Sequence, residues 1–152
     1  MIGWLLDTNV VASLTNPHGA PSVKNWAANQ DERTLFLSIL TLAEFDKGIH
    51  NLDPSHPERT RYAAQRDALE LRFSGRLLRL TDAVVRRWGV ISGETKRRTG
   101  RSPEVIDTLL AATALETNLF LVTRNTKHVV DSGAAVFNPW VDDPSLFLLA
   151  KR

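Results

Sequence analysis

Short apolar runs that each stop at a polar residue set the strongest limit on how this chain folds. Leu119-Phe120-Leu121-Val122 has no polar position on either side of its alternation, and Met1-Ile2-Gly3-Trp4-Leu5-Leu6 is apolar throughout. Strands apolar on both faces belong in a sheet covered on both faces, the usual setting of parallel strands. Thr34–Ser38, Leu77–Leu80 and Ala134–Phe137 are further strand candidates. Helical spacing follows Asp7 through Val10–Leu14 and returns over Thr41 to about His50 and Glu58 to about Phe73. Thr81 caps a helix running to about Arg98, and a last helix spans Glu104–Thr117, with Ser102 as N-cap and Pro103 at its first position. This alternation predicts an α/β fold, a central parallel sheet of four to five strands with helices on both sides. It leaves the strand order open.

At 152 residues the chain is read as one domain over residues 1–140 and a tail over 141–152, where Leu146-Phe147-Leu148-Leu149 packs back or serves an interface. The absence of cysteine excludes disulfides, thiolate metal sites and a cysteine nucleophile. No apolar run approaches the length of a membrane span, and the one before Asp7 is too short for a secretory signal. The expectation is a soluble, cytoplasmic protein without a membrane partner. The net charge of +2 hides an asymmetry. Between Arg59 and Arg101 lie 12 of the 19 Lys and Arg residues, against only Asp67, Glu70, Asp82 and Glu94. An arginine-rich segment of this kind suits an anionic partner, and the competing reading is solvated outer faces of two helices.

Three carboxylates stand in settings that suggest a site more than a surface, with an outward, solvated position the alternative for Asp107. Asp7 follows the first strand, and ligands of open α/β sheets bind outside the carboxyl ends of strands. Helix capping by Asp7 is the alternative, although Thr8 or Asn9 would cap as well. Glu44 sits in Thr41-Leu42-Ala43-Glu44, which matches a capping box, yet its neighbours Leu40, Leu42, Ala43 and Phe45 are apolar. Asp107 opens a helix above Ala111 and Ala114, small residues that let another element come close and leave the acid little polar company. A buried, unpaired carboxylate requires a cation or several hydrogen-bond donors. Thr123-Arg124-Asn125 follows another strand; Asn125 offers a neutral oxygen or a helix cap, and Arg124 a phosphate contact.

Bringing Asp7, Glu44 and Asp107 together costs about 4 kcal/mol per charge pair at 4 Å and an effective dielectric near 20. Oxygen ligands without cysteine match a hard divalent cation, Mg²⁺ or Mn²⁺, which activates water and stabilises charge on a phosphoryl group. With a basic flank for a polyanion, this points to phosphodiester hydrolysis. His18, His50, His56 and His128 are dispersed without metal-ligand spacing and are not expected to take part.

Leu5-Leu6-Asp7-Thr8-Asn9, Ser38-Ile39-Leu40-Thr41-Leu42-Ala43-Glu44 and Ile106 to Ala114, with Leu121-Val122-Thr123-Arg124-Asn125 and Phe137-Asn138-Pro139-Trp140, resemble the ordered motifs of PIN-domain ribonucleases. The resemblance is greatest to the VapC-type toxins of bacterial toxin–antitoxin pairs. It implies a three-layer α/β/α fold and an acidic pocket in which Asp7, Glu44 and Asp107 hold Mg²⁺ or Mn²⁺. Asn125 stands at a fourth position that is often acidic in the family, and Lys127-His128 where many members carry a further acid. That favours one ion over two, with Asp131 a candidate to compensate. Thr8, Thr123 and Asn125 are expected to orient water or phosphate, and Arg124 to contact RNA. The family further implies a structured RNA substrate such as tRNA, a homodimer, a VapB-type antitoxin, and operator DNA bound only through the antitoxin complex.

Two other readings compete. A haloacid-dehalogenase-type phosphatase also opens with an acid after its first strand, but needs a second acid where Asn9 stands and a later lysine with no good candidate. A protein that only docks an antitoxin or captures RNA is the other, suggested by the neutral Asn125 and basic His128.

Overall fold

The structure, a computed structural model, describes residues 2–146, the side chain of Leu146 excepted. Five short strands form one parallel sheet: β1 (Trp4–Leu6), β2 (Leu35–Ser38), β3 (Leu77–Leu78), β4 (Phe120–Val122) and β5 (Val136–Phe137). Their order is β3-β2-β1-β4-β5. Trp4 pairs with Leu35 on one side and Phe120 on the other, so the first strand of the chain lies at the centre. The helices are α1 (Thr8–Thr15), α2 (Pro21–Ala28), α3 (Ile39–Asn51), α4 (Arg59–Arg72), α5 (Asp82–Thr99), α6 (Val105–Thr117) and the single turn α7 (Thr126–Val129).

Strand alternation sorts the apolar side chains into two layers. Trp4 and Leu6 of β1, Leu35 and Leu37 of β2, and Phe120 and Val122 of β4 face one side with Val10, Val11, Trp26, Leu42 and Phe73. Leu5 and Leu121 face the other, against Leu110, Ala111 and Ala114 of α6. The first layer is keyed by aromatic rings: Trp4 lies 5.3 Å from Trp26, edge to face, and 5.5 Å from Phe137. The small residues of α6 serve both of its faces, since Ala112 packs on Val84 and Ile91 of α5. The three-layer arrangement expected from the sequence is therefore present, with all strands parallel.

Three local expectations change. Helix α3 starts at Ile39 directly from β2, because the buried Ser38 hydroxyl accepts the Leu40 N–H at 3.0 Å. Thr41 is thus inside the helix, and the capping box that competed as an explanation of Glu44 does not form. Helix α6 starts at Val105: Glu104, not Ser102, is the N-cap, and its longer side chain reaches the Asp107 N–H at 2.6 Å. Helix α2 was not expected from the Pro- and Gly-rich stretch around it. Pro21 begins it, and Val23 and Trp26 are the residues it buries. The apolar segment Leu146–Leu149 lies outside the described residues but for the backbone of Leu146.

Removing the Ser38 cap tests the corrected start of α3. Ser38→Ala is expected to cost about 1 kcal/mol, seen as a fall in Tm of roughly 2–4 °C for a chain of this size. Ser38→Gly should cost only a few tenths.

Candidate active site

In the order β3-β2-β1-β4-β5 the chain departs from β1 toward β2 and later returns to β4 on the other side. The gap beyond the carboxyl ends of β1 and β4 is therefore the topological switch point, where open α/β sheets place their ligands. Asp7 and Thr123 are the residues at those two ends. The Asp7 amide extends the ladder by donating to the Val122 carbonyl at 2.9 Å, and the Thr123 amide donates to Phe137 at 3.0 Å.

Asp7 is buried, with 5% of its surface exposed. Its Oδ1 accepts the Thr8 N–H at 2.6 Å, consistent with its place at the head of α1. Capping is only half of what it does. Its Oδ2 accepts the Thr123 hydroxyl at 2.7 Å and the Asn9 amide at 3.3 Å. Asn9 also approaches the Thr123 hydroxyl at 3.4 Å and accepts the Arg124 N–H at 3.3 Å, tying the two strand ends together. Burial pushes the Asp7 carboxyl up to about 6, against the Thr123 and Thr8 hydrogen bonds, with Asp107 and Glu44 adding repulsion.

Glu44 joins through Thr8, whose hydroxyl donates to Oε1 at 2.6 Å and lies 3.2 Å from the Thr41 hydroxyl. Because α3 begins at Ile39, Glu44 is in its second turn and free of any capping duty. Asp107, 8% exposed, projects from the first turn of α6. Its Oδ2 lies 2.6 Å from Nδ1 of His128 on α7. Burial raises the Asp107 carboxyl above the usual range; the His128 contact opposes this and the charge of Glu104 adds to it.

The sequence thus named Asp7, Glu44, Asp107, Thr8 and Thr123 around this gap, and missed Asn9, Glu104 and His128. Asn9 was visible as the third residue of the Asp-Thr-Asn run. His128 was discounted for its isolation along the chain, yet α7 returns it to Asp107, 21 residues away in sequence. Asn125 is exposed; its N–H donates to the Thr123 hydroxyl at 3.0 Å, and it precedes α7 without a side-chain capping bond. Asp131 is ion-paired with Arg98 at 3.1 Å, on the seam between α5 and the turn after α7. Arg124 lies over the Trp140 ring, 5.2 Å from its centroid.

The basic segment is largely engaged in holding the fold. Arg72 and Arg76 pair with Glu32, Arg66 with Asp46 and Asp67, Arg61 with Glu58, Arg87 with Glu116 and Arg98 with Asp131. Arg59 meets His50 at 2.8 Å. Among the described residues, Arg79, Arg86, Lys96, Arg97 and Arg101 have no carboxylate partner. Also among these residues, no three His, Asp or Glu side chains converge on one point in the arrangement seen. No helix there is long and apolar enough to cross a membrane.

The folded protein holds the Asp7 proton more tightly than the unfolded chain, so Asp7 lowers stability as pH rises from about 4 to about 6. In divalent-free buffer the stability of Asp7→Asn relative to the wild type is expected to rise between pH 4 and neutral pH, by on the order of 2–3 kcal/mol. Urea denaturation at each pH reads that change, and a flat difference would count against the raised carboxyl.

The family model for the PIN domain matches residues 4–130. Among curated proteins, Toxin FitB of Neisseria gonorrhoeae is 29% identical, over 91% of this chain and 99% of its own. VapC ribonuclease Y4jK of Sinorhizobium fredii is 28% identical, over 90% and 96%. A solved structure of FitAB bound to an IR36 DNA fragment matches with a TM-score of 0.82 and 27% identity, over 92% of this chain and 97% of that one. A family match spanning most of the chain shows that this chain belongs to the PIN-domain family.

Proposed function

We propose that the chain is an endoribonuclease and the toxin of a toxin–antitoxin pair, hydrolysing phosphodiester bonds in structured RNA, tRNA included, with the help of Mg²⁺ or Mn²⁺. The observation that carries the reading is Asp7: a buried carboxylate at the switch point, destabilised further by two acidic neighbours. The similarity to a VapC ribonuclease and to Toxin FitB supports the activity and the toxin role. The similarity to FitAB on DNA supports an antitoxin partner of the VapB kind, with operator DNA reached through that complex. A homodimer is part of the same proposal.

The donor set fits a hard cation. Asp7, Glu44 and Asp107 offer only carboxylate oxygens, and a divalent ion between them would convert their repulsion into attraction. When bound, it supplies charge stabilisation at the phosphoryl oxygens and a more acidic water. The chain's own residues do the positioning. The Thr123 hydroxyl and Asn9 amide fix one oxygen of Asp7, and the Thr8 N–H fixes the other. The Thr8 hydroxyl orients Glu44, and His128 orients Asp107. Asn125, beside Thr123, offers a neutral amide at the fourth position, and Arg124, braced on Trp140, a cation for phosphate. Asp131 is committed to Arg98, which supports one ion over two.

The first test is incubation of purified, antitoxin-free protein with total tRNA in Mn²⁺, Mg²⁺ or EDTA. Discrete fragments are expected from the wild type with metal, and none from Asp7→Asn or with EDTA. Salt-sensitive RNA binding without cleavage would instead support the binding-only reading, for which the His128 contact to Asp107 is the structural argument. Thr123→Val keeps the volume but removes the donor to Asp7. It is expected to lower activity about 10- to 100-fold, the usual effect of losing a partner that orients a metal ligand, with a titration of Mn²⁺ dividing affinity from rate.

A further inference from the structure

We propose that the cleft between the C-terminal end of α5 and α7 is a phosphate subsite for the RNA strand leaving the acidic site, with Arg101 and Lys127 as its cationic ligands. This rests on the ribonuclease reading above. The cleft has a volume of about 490 Å³, and its walls include Thr99, Arg101, Glu104, Lys127, His128 and Asp131. Such a volume lies within the roughly 300–1,000 Å³ of small-molecule and cofactor sites.

Two features connect it to the reaction site. Glu104 and His128, both lining it, reach Asp107: Glu104 accepts its N–H, and His128 lies against its carboxylate. A strand whose reacting phosphate sits at the acids therefore has this cleft as its next neighbour on the α6 side. The cleft's charges are also unequally satisfied. Glu104 is engaged by the Asp107 N–H and Asp131 by Arg98. Among the described residues, the side chains of Arg101 and Lys127 have neither a carboxylate partner nor a hydrogen bond. Two cations without a direct partner lining one cleft favour an anion there, and phosphate is the anion that the proposed substrate brings.

The position of Arg101 is set by its loop. Gly100 ends α5 at φ 80°, a conformation that favours glycine, and its N–H donates to the Lys96 carbonyl at 2.8 Å. The Thr99 hydroxyl donates to the Thr95 carbonyl at 2.7 Å and accepts the Arg101 N–H at 3.3 Å. The backbone therefore turns once and carries Arg101 onto the cleft wall. Arg86 and Arg97, also unpaired and exposed on α5, are not among the residues that line it.

The test measures binding of a short, fluorescein-labelled single-stranded RNA by anisotropy over a range of salt, in the Asp7→Asn background so that the probe stays intact. Each phosphate contact on a single strand contributes about 0.7 to the slope of log affinity against log salt. The Arg101→Gln, Lys127→Gln double variant is expected to weaken binding and flatten that slope by about 1.4. An Arg86→Gln, Arg97→Gln double variant, with the same loss of charge, should leave the slope near that of the parent. Equal slopes for the Arg101/Lys127 variant and the parent would overturn the subsite, as would equal flattening by both doubles. Parent protein without salt-dependent RNA binding, together with wild type that cleaves no tRNA, would overturn the ribonuclease reading itself.

Discussion

The hydrogen bond from the Thr123 hydroxyl to Asp7 is the contact on which the rest of the site depends. A carboxylate almost wholly removed from water loses most of its hydration, and neutral donors restore only part of it. Thr123, Asn9 and the Thr8 amide are such donors; none of them carries a charge. Asp7 is thus held firmly in place while its negative charge stays uncompensated. An arginine in the same position would have stabilised the fold more and left nothing for a cation or a phosphoryl group to do.

The same division runs through the wider molecule. Arginines close to carboxylates pin the outer helices: Arg66 joins α4 to α3 through Asp46, and Arg87 joins α5 to α6 through Glu116. Exposed pairs of this kind contribute little each. They nevertheless use up much of the positive charge that the sequence concentrates between Arg59 and Arg101. What remains for an anionic partner is a smaller set, and its location matters more than its number.

Much of this was legible in the chain because the informative residues are where strands end. A wholly apolar strand, a polar stop and a helix start are short-range signals, and Asp7, Thr8 and Thr123 could be placed by them. The small residues under Asp107 were equally readable, and Ala111 and Ala114 are fully packed against the sheet. Helix starts were less legible, because several residues compete to cap. Ser38 and Glu104 prevailed over Thr41 and Ser102 through the path of the preceding chain, which local sequence does not state. Long-range pairings were the least accessible. Nothing near His128 announces Asp107, and nothing near β1 announces that its neighbours are β2 and β4.

That central place of β1 has a consequence for the order in which the protein is made. Strand β1 must wait for a partner far along the chain, since Asp7 and the Thr123 hydroxyl are 116 residues apart. At ordinary ribosomal speeds of about 5–20 residues per second, this delay is on the order of ten seconds. Until β4 emerges, Asp7 lacks its anchor and Asp107 is only just leaving the exit tunnel. The Thr123 anchor therefore joins Asp7 only after β4 has been made, well after the Thr8 contact to Glu44 can form.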